Sequence, residues 1–243
     1  MTSNIHIYIN HQYIHHNQIF KWEKKRALVV LKKLGISTQM NDLVTFKQLI
    51  LEKKIELGHE RIKKLLNYEL LFSDQIAKIT ARLSFGFRRF SCIEIFVEHA
   101  QAEQFVEWFE QCCIKNNEVA MLAVTPDHYL IQTHTDRQEV IETNGGSPLA
   151  AHFYIDYNDL SSLRSKIDPT YPFQISGVAH TRQGLAVGGV RHQFRNEPNG
   201  FRAKLLVEYP LLILPSIISG HQWHLASEFA NWICAAYGWT FEE

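Results

Sequence analysis

Leu185–Tyr209, LAVGGVRHQFRNEPNGFRAKLLVEY, is the stretch on which the architecture turns. Leu185 to Arg195 and Phe201 to Tyr209 read as strands, and Asn196-Glu-Pro-Asn-Gly200 between them is a run of turn formers, so the stretch predicts a long β-hairpin. Working upstream, strand patterns recur at Ser91–Glu98 (SCIEIFVE), Val119–Val124, Tyr129–Thr133, Gln138–Glu142 and Ala151–Tyr157, with a turn at Gly145/Gly146. His180 and His192 fall on neighbouring predicted strands. Ala100–Cys113 predicts an amphipathic helix, and downstream of the hairpin a closing helix is expected from about Ser219 to Tyr237.

Residues 17–85 read differently. Phe20, Ala27, Leu28, Leu31 and Leu34 recur at helical spacing and stop at Gly35; Leu43, Phe46, Leu49, Ile50 and Leu57 repeat the pattern and stop at Gly58. Ile62, Leu65, Leu66 and Leu70 predict a third helix, and Ser73 caps a predicted fourth that ends before Gly86. The expectation is an α+β protein: a helical N-terminal region over 1–85, then a helix-grip (Bet v1-like) domain over 86–243. In that architecture a curved antiparallel sheet carries a long C-terminal helix across its concave face, over an internal cavity.

With 243 residues, 46% hydrophobic and 21% charged, the chain can bury a sizeable core, which excludes a disordered or collagen-like polymer. The net charge of zero conceals an asymmetry: residues 1–90 hold 16 Lys+Arg against 7 Asp+Glu, leaving 9 against 18 in the remainder. Four cysteines without CxxC spacing, including the adjacent Cys112/Cys113, suit reduced thiols and a cytoplasmic location. The N-terminus lacks a leader pattern, and the longest apolar run, Leu205 to Ile218, is broken by Glu208, Pro210 and Pro215, so no membrane span is expected.

His224 and Glu228 stand four apart on the last predicted helix and leave one face together. An imidazole and a carboxylate so placed can supply two ligands of a zinc site, although such a pair alone is more often a surface hydrogen bond. His128 follows the proline turn Thr125-Pro-Asp, and Glu142 precedes Thr143-Asn-Gly-Gly146, both at strand ends. For His128, Glu142, His180 and His192 taken singly, a solvated residue is the default; the helix-grip arrangement brings all six together.

Several of these stretches, in order and approximate spacing, resemble the 2,4-diacetylphloroglucinol hydrolase family, which includes phloretin hydrolase-like enzymes. They are Glu103-Gln-Phe-Val-Glu-Trp108-Phe109, Thr125-Pro-Asp-His128-Tyr129, Glu142-x-x-Gly145-Gly146, Val190-Arg-His192-Gln-Phe-Arg195-x-x-Pro198-x-Gly200 and His224-x-x-x-Glu228-Phe-Ala-Asn231. The resemblance covers about two-thirds of the chain, residues of roughly 86–237. It implies a zinc ion held by His128, Glu142, His224 and Glu228, with Glu139 as the reserve for the second, activating water to cleave the carbon–carbon bond between an acyl group and a phenolic ring. His180 and His192 would match pocket histidines that position or protonate the substrate, an aromatic ketone. The chain departs from the family pattern at Glu107, at Cys112 and around Ala120. The resemblance also implies a homo-oligomer formed through the N-terminal helices.

Two other functions compete: a non-catalytic helix-grip protein that binds an apolar small molecule, and a ligand-responsive regulator whose basic helices, Gln39 to Leu71, hold a helix-turn-helix. No side-chain pattern for base readout is visible there, so a solvated or self-associating surface is favoured over nucleic acid. Retention of the His128, Glu142, His224 and Glu228 quartet favours the hydrolase.

Overall fold

The computed structural model describes residues 4–240. Ile5, Ile7 and Ile9 alternate with His6 and Tyr8, and this period-two run forms β1 (Ile5–Ile9). The chain reverses through Asn10 and His11, both at positive φ (52° and 64°), into β2 (Gln12–Ile14). Residues 1–85 were expected to be helical; instead this hairpin pairs with β3 (Arg88–Glu98) and forms one edge of the sheet.

Three helices follow: α1 (His16–Lys33), α2 (Leu43–Leu65) and α3 (Asn67–Leu83). Asp42 caps α2, its carboxylate accepting the Thr45 N–H at 2.8 Å. Gly58, at φ 65° and ψ 171°, breaks the helical path inside α2 where the apolar pattern predicted a stop. Ser73 is not a cap: it lies inside α3, and its hydroxyl donates to Leu70 O and Ala150 O. The separate third and fourth helices predicted around it therefore do not form as drawn.

After β3 come α4 (Ala102–Ile114), α5 (Glu118–Ala123), β4 (His128–Thr133), β5 (Gln138–Glu142), a 3-10 turn at Asn144–Gly146, β6 (Ala151–Asp156), β7 (Phe173–His180), β8 (Ala186–Glu197), β9 (Gly200–Pro210) and α6 (Pro215–Tyr237). Val119–Val124 was expected as a strand and forms α5, because the Asn117 side chain accepts the Ala120 N–H and starts a helix that the short apolar run continues. The nine strands form a single sheet in the order β2-β1-β3-β9-β8-β7-β6-β5-β4, with every neighbouring pair antiparallel.

Two apolar layers hold the sheet between helices. On one face Phe105 of α4 and Phe229 of α6 are buried with Phe194 and Phe201 of β8 and β9, ring centroids 5.4–6.2 Å from Phe105. On the other, Val30, Phe46 and Ile50 of α1 and α2 cover Leu130 and Ile141 of β4 and β5. Each fully buried side chain of this size contributes about 1.5–3 kcal/mol relative to exposure. Helix α3 is different: it buries Leu70 and Ala81, while Tyr68, Leu71, Phe72, Ile79 and Leu83 stay exposed. Among the described residues, no helix is long and apolar enough to cross a membrane.

Candidate metal centre

The β4–β5 ladder delivers the first two candidate ligands. Its register pairs His128 with Glu142 and then skips to Leu130 with Ile141, so Tyr129 is an extra residue on β4. Tyr129 and Leu130 both belong to the layer under α1 and α2, and the bulge thereby returns His128 to the face that carries Ile131 and Val140. On β5 strict alternation decides between the two glutamates. Gln138, Val140 and Glu142 line the cavity, whereas Glu139 lies outside its lining, against Lys63 of α2. Glu139 therefore lies apart from the other candidate ligands; it accepts hydrogen bonds from His152 (2.7 Å) and His134 (3.1 Å) and pairs with Lys63 (2.9 Å).

Helix α6 supplies the rest. His221, His224 and Glu228 occupy one helical stripe facing the cavity, all buried. The stripe can approach β5 because the turn after Glu142 packs directly on α6: a Cβ on Gly220 would fall 1.8 Å from Gly145 O. No side chain larger than hydrogen fits there.

The four side chains expected as ligands come together. His128 Nε2 lies 3.2 Å from both Glu142 Oε2 and Glu228 Oε1, and His224 Nε2 lies 3.8 Å from Glu142 Oε2 and 3.9 Å from Glu228 Oε2. Ligand atoms of His128, His224 and Glu228 lie within 4.8 Å of one another, as do those of Glu142, His221 and His224. Both ring nitrogens of His128 and both of His224 are buried without a well-aligned hydrogen-bond partner. Orphaned imidazole nitrogens facing two buried carboxylates are costly unless a cation joins them. The residues fit a divalent ion with nitrogen and oxygen ligands. Burial lowers the His128 pKa, but the adjacent Glu142 and Glu228 outweigh it and raise it to about 9, so a divalent ion binding here displaces the proton of this imidazole. Burial pushes the Glu142 carboxyl up, yet His128, His224 and His221 hold it below the usual range.

His221 is absent from the residues singled out by sequence, although its place three residues before His224 on one helix face was the available signal. Its Nδ1 lies 3.1 Å from Ser91 Oγ, and burial lowers its pKa to about 3. Asp127 was missed as well. Arg26 of α1 donates to it twice through Nε and Nη2, at 2.8–3.1 Å, and its Oδ2 stands 4.0 Å from His224 Nδ1, on the ring edge away from Glu142 and Glu228. A carboxylate behind a ligating imidazole orients the ring and fixes its tautomer. The segment that carries Asp127 and His128 is held from two helices: from α2, Lys54 Nζ donates to Pro126 O (2.9 Å) and Lys47 Nζ to Val124 O (3.1 Å), and from α6, Asn231 Nδ2 donates to Val124 O (2.9 Å). Burial lowers the Lys54 pKa to about 7.

The cluster sits in the wall of a cavity of about 550 Å³, enclosed by α3, α6 and the sheet strands β4 to β9. His192 lines it, buried against Phe229 with ring centroids 4.8 Å apart, and burial alone lowers its pKa to about 3. His180 does not join the site. It lies outside the cavity lining, with Nε2 3.3 Å from Asp159 Oδ2. Compared with protein-family models and with characterised proteins, the chain matches none.

Proposed function

We propose that the chain is a zinc-dependent hydrolase that cleaves the carbon–carbon bond between an acyl group and a phenolic ring, or a similar ketone. The observation that carries this reading is the His128, Glu142, His224, Glu228 cluster, buried, with imidazole nitrogens that face the carboxylates without well-aligned hydrogen bonds, in the wall of a cavity. In this reading α6 grips the sheet over the cavity as in a helix-grip fold.

A bound zinc ion supplies polarisation of a carbonyl and a lowered pKa for water. The chain's own residues do the rest. The largely apolar cavity wall holds the acyl carbon against the cluster. Asp127, paired with Arg26, stands 4.0 Å behind His224 Nδ1, close enough to orient the ring once a short hydrogen bond forms. His192, neutral at physiological pH, is the cavity histidine placed to hydrogen-bond the substrate and relay a proton. In the net reaction water divides: its hydroxyl joins the acyl carbon, its proton joins the ring carbon, and the bond between those carbons breaks. Incubation of zinc-loaded protein with acylphenones, followed by mass spectrometry, should show equal amounts of carboxylic acid and deacylated phenol. Absence of both with every ketone that binds counts against the reaction.

A non-catalytic binding protein is the second reading, favoured by the aliphatic character of much of the wall. Regulation through nucleic acid has less support, because Arg26, Lys47, Lys54 and Lys63 make internal pairs or hydrogen bonds. The exposed apolar side chains of α3 support the proposed homo-oligomer, and the four free thiols are consistent with the proposed cytoplasmic location. Leu71→Asp should lower the mass measured by light scattering; an unchanged mass removes α3 from the interface.

A further inference from the structure

The polar side chains around the cavity fall into two groups. Most already engage the protein. Tyr157 Oη donates to Gln138 Oε1 at 3.0 Å, and Tyr209 Oη to Asn144 Oδ1 at 2.9 Å. Ser73 and Thr80 of α3 donate to the backbone carbonyls of Ala150 and Ile76, each at 2.8 Å. Thr181 and Ser147 accept backbone N–H groups from Leu185 and Leu149. Glu208 accepts from the backbone of Arg164 and Ser165, Asp74 pairs with Lys78, and His152 bonds Glu139.

What is left without a partner, among the described residues, is the metal cluster, the Trp232 Nε1 beside it (ring centroid 5.8 Å from that of His128), and His192, whose Nδ1 is buried with no partner. Much of the remaining wall is aliphatic, built from side chains such as Ile131, Val140, Ile155, Ile175, Val190 and Val207. Buried, unpartnered nitrogens are thus concentrated at two places, the cluster with Trp232 beside it and His192, in a cavity whose remaining wall is mostly apolar. A ring hydroxyl placed against the aliphatic wall would lose its water and gain no partner.

We infer that the ligand of this cavity is an apolar ketone: a carbonyl for the metal cluster, at most one further polar group for His192, and an aliphatic or sparsely hydroxylated body rather than a polyhydroxylated ring. The carbonyl part rests on the proposed hydrolase reading; the apolar body rests on the wall alone.

The test is titration of the full chain, both zinc-loaded and metal-free, with two ketone series. One lengthens the acyl chain of an alkyl phenyl ketone from acetyl to octanoyl. The other adds one, two and three ring hydroxyls to acetophenone. Each methylene should tighten Kd roughly threefold to fourfold until the cavity is filled, and each hydroxyl beyond the first should weaken it roughly tenfold. Affinity flat in chain length, a trihydroxylated ring binding more tightly than acetophenone, or no saturable binding of the octanoyl ketone by either form overturns the inference. Because the trends are also read without metal, a chain that takes up no metal sinks the hydrolase reading and leaves them interpretable. A zinc-loaded chain with reversed trends sinks the inference alone.

Discussion

Two histidine–glutamate clusters flank the β4–β5–β6 end of the sheet, and they are built from the same residue types to opposite effect. Outside the cavity lining, Glu139 receives His152, His134 and Lys63, so one carboxylate faces three donors and is fully satisfied. Within the lining, two carboxylates face two imidazoles whose nitrogens lack aligned partners, with no lysine or arginine paired to them. The Arg26 guanidinium is committed to Asp127. The difference teaches that residue type does not mark a candidate metal site; buried carboxylates that face imidazoles with, among the described residues, no lysine or arginine paired to them do.

The comparison breaks first at the ligands. His224→Ala should reduce bound divalent metal from about one equivalent to less than a tenth and abolish hydrolysis, while His152→Ala in the other cluster leaves metal content unchanged. Equal metal retention in both variants would erase the distinction. One step outward, Asp127→Asn should weaken metal affinity roughly 10–100-fold, read by competition with a chelating dye; an unchanged affinity would leave the Arg26–Asp127 pair a purely structural clasp.

The satisfied cluster should respond in stability and not in metal. Glu139→Gln is expected to cost about 1–3 kcal/mol at neutral pH, measured by urea unfolding, with metal uptake intact. Its pH dependence has a definite sign. Burial would raise the Glu139 pKa, but His152, Lys63 and His134 hold it well below the ordinary carboxylate value. The stabilisation is therefore full above about pH 4.3 and lost as pH falls further, and the variant should lack that acid loss.

The smallest effect concerns His192. With its pKa lowered to about 3 in the folded chain, it binds a proton only on unfolding once pH falls below about 6.5, so stability drops with acidification. His192→Phe should flatten the profile between pH 7 and 5 by about 2 kcal/mol. An unchanged slope would mean that the imidazole is already solvated.

How far the sequence could lead depended on local signal. The β8–β9 hairpin, β4 to β6 and α6 announce themselves by period and turn chemistry, and the four candidate ligands lie on them. Strand β1 was equally legible in the alternation Ile5-His-Ile-Tyr-Ile9 and was passed over, although Asn10 and His11 suit a two-residue turn. Helix α5 was not legible, since six residues of apolar character fit either period and the Asn117 cap decided the outcome. The choice of Glu142 over Glu139 was open to parity: residues three apart on a strand face opposite sides. The role of Asp127 was hidden, because it depends on Arg26, 101 positions earlier, and on a bulge at Tyr129 that only the folded ladder reveals.

The central claim is that the unsatisfied cluster holds a metal, and elemental analysis of the full chain purified without chelators tests it most directly. The account predicts close to one equivalent of zinc or another divalent ion per chain, after reconstitution if not before. Less than a tenth of an equivalent under both conditions would contradict it.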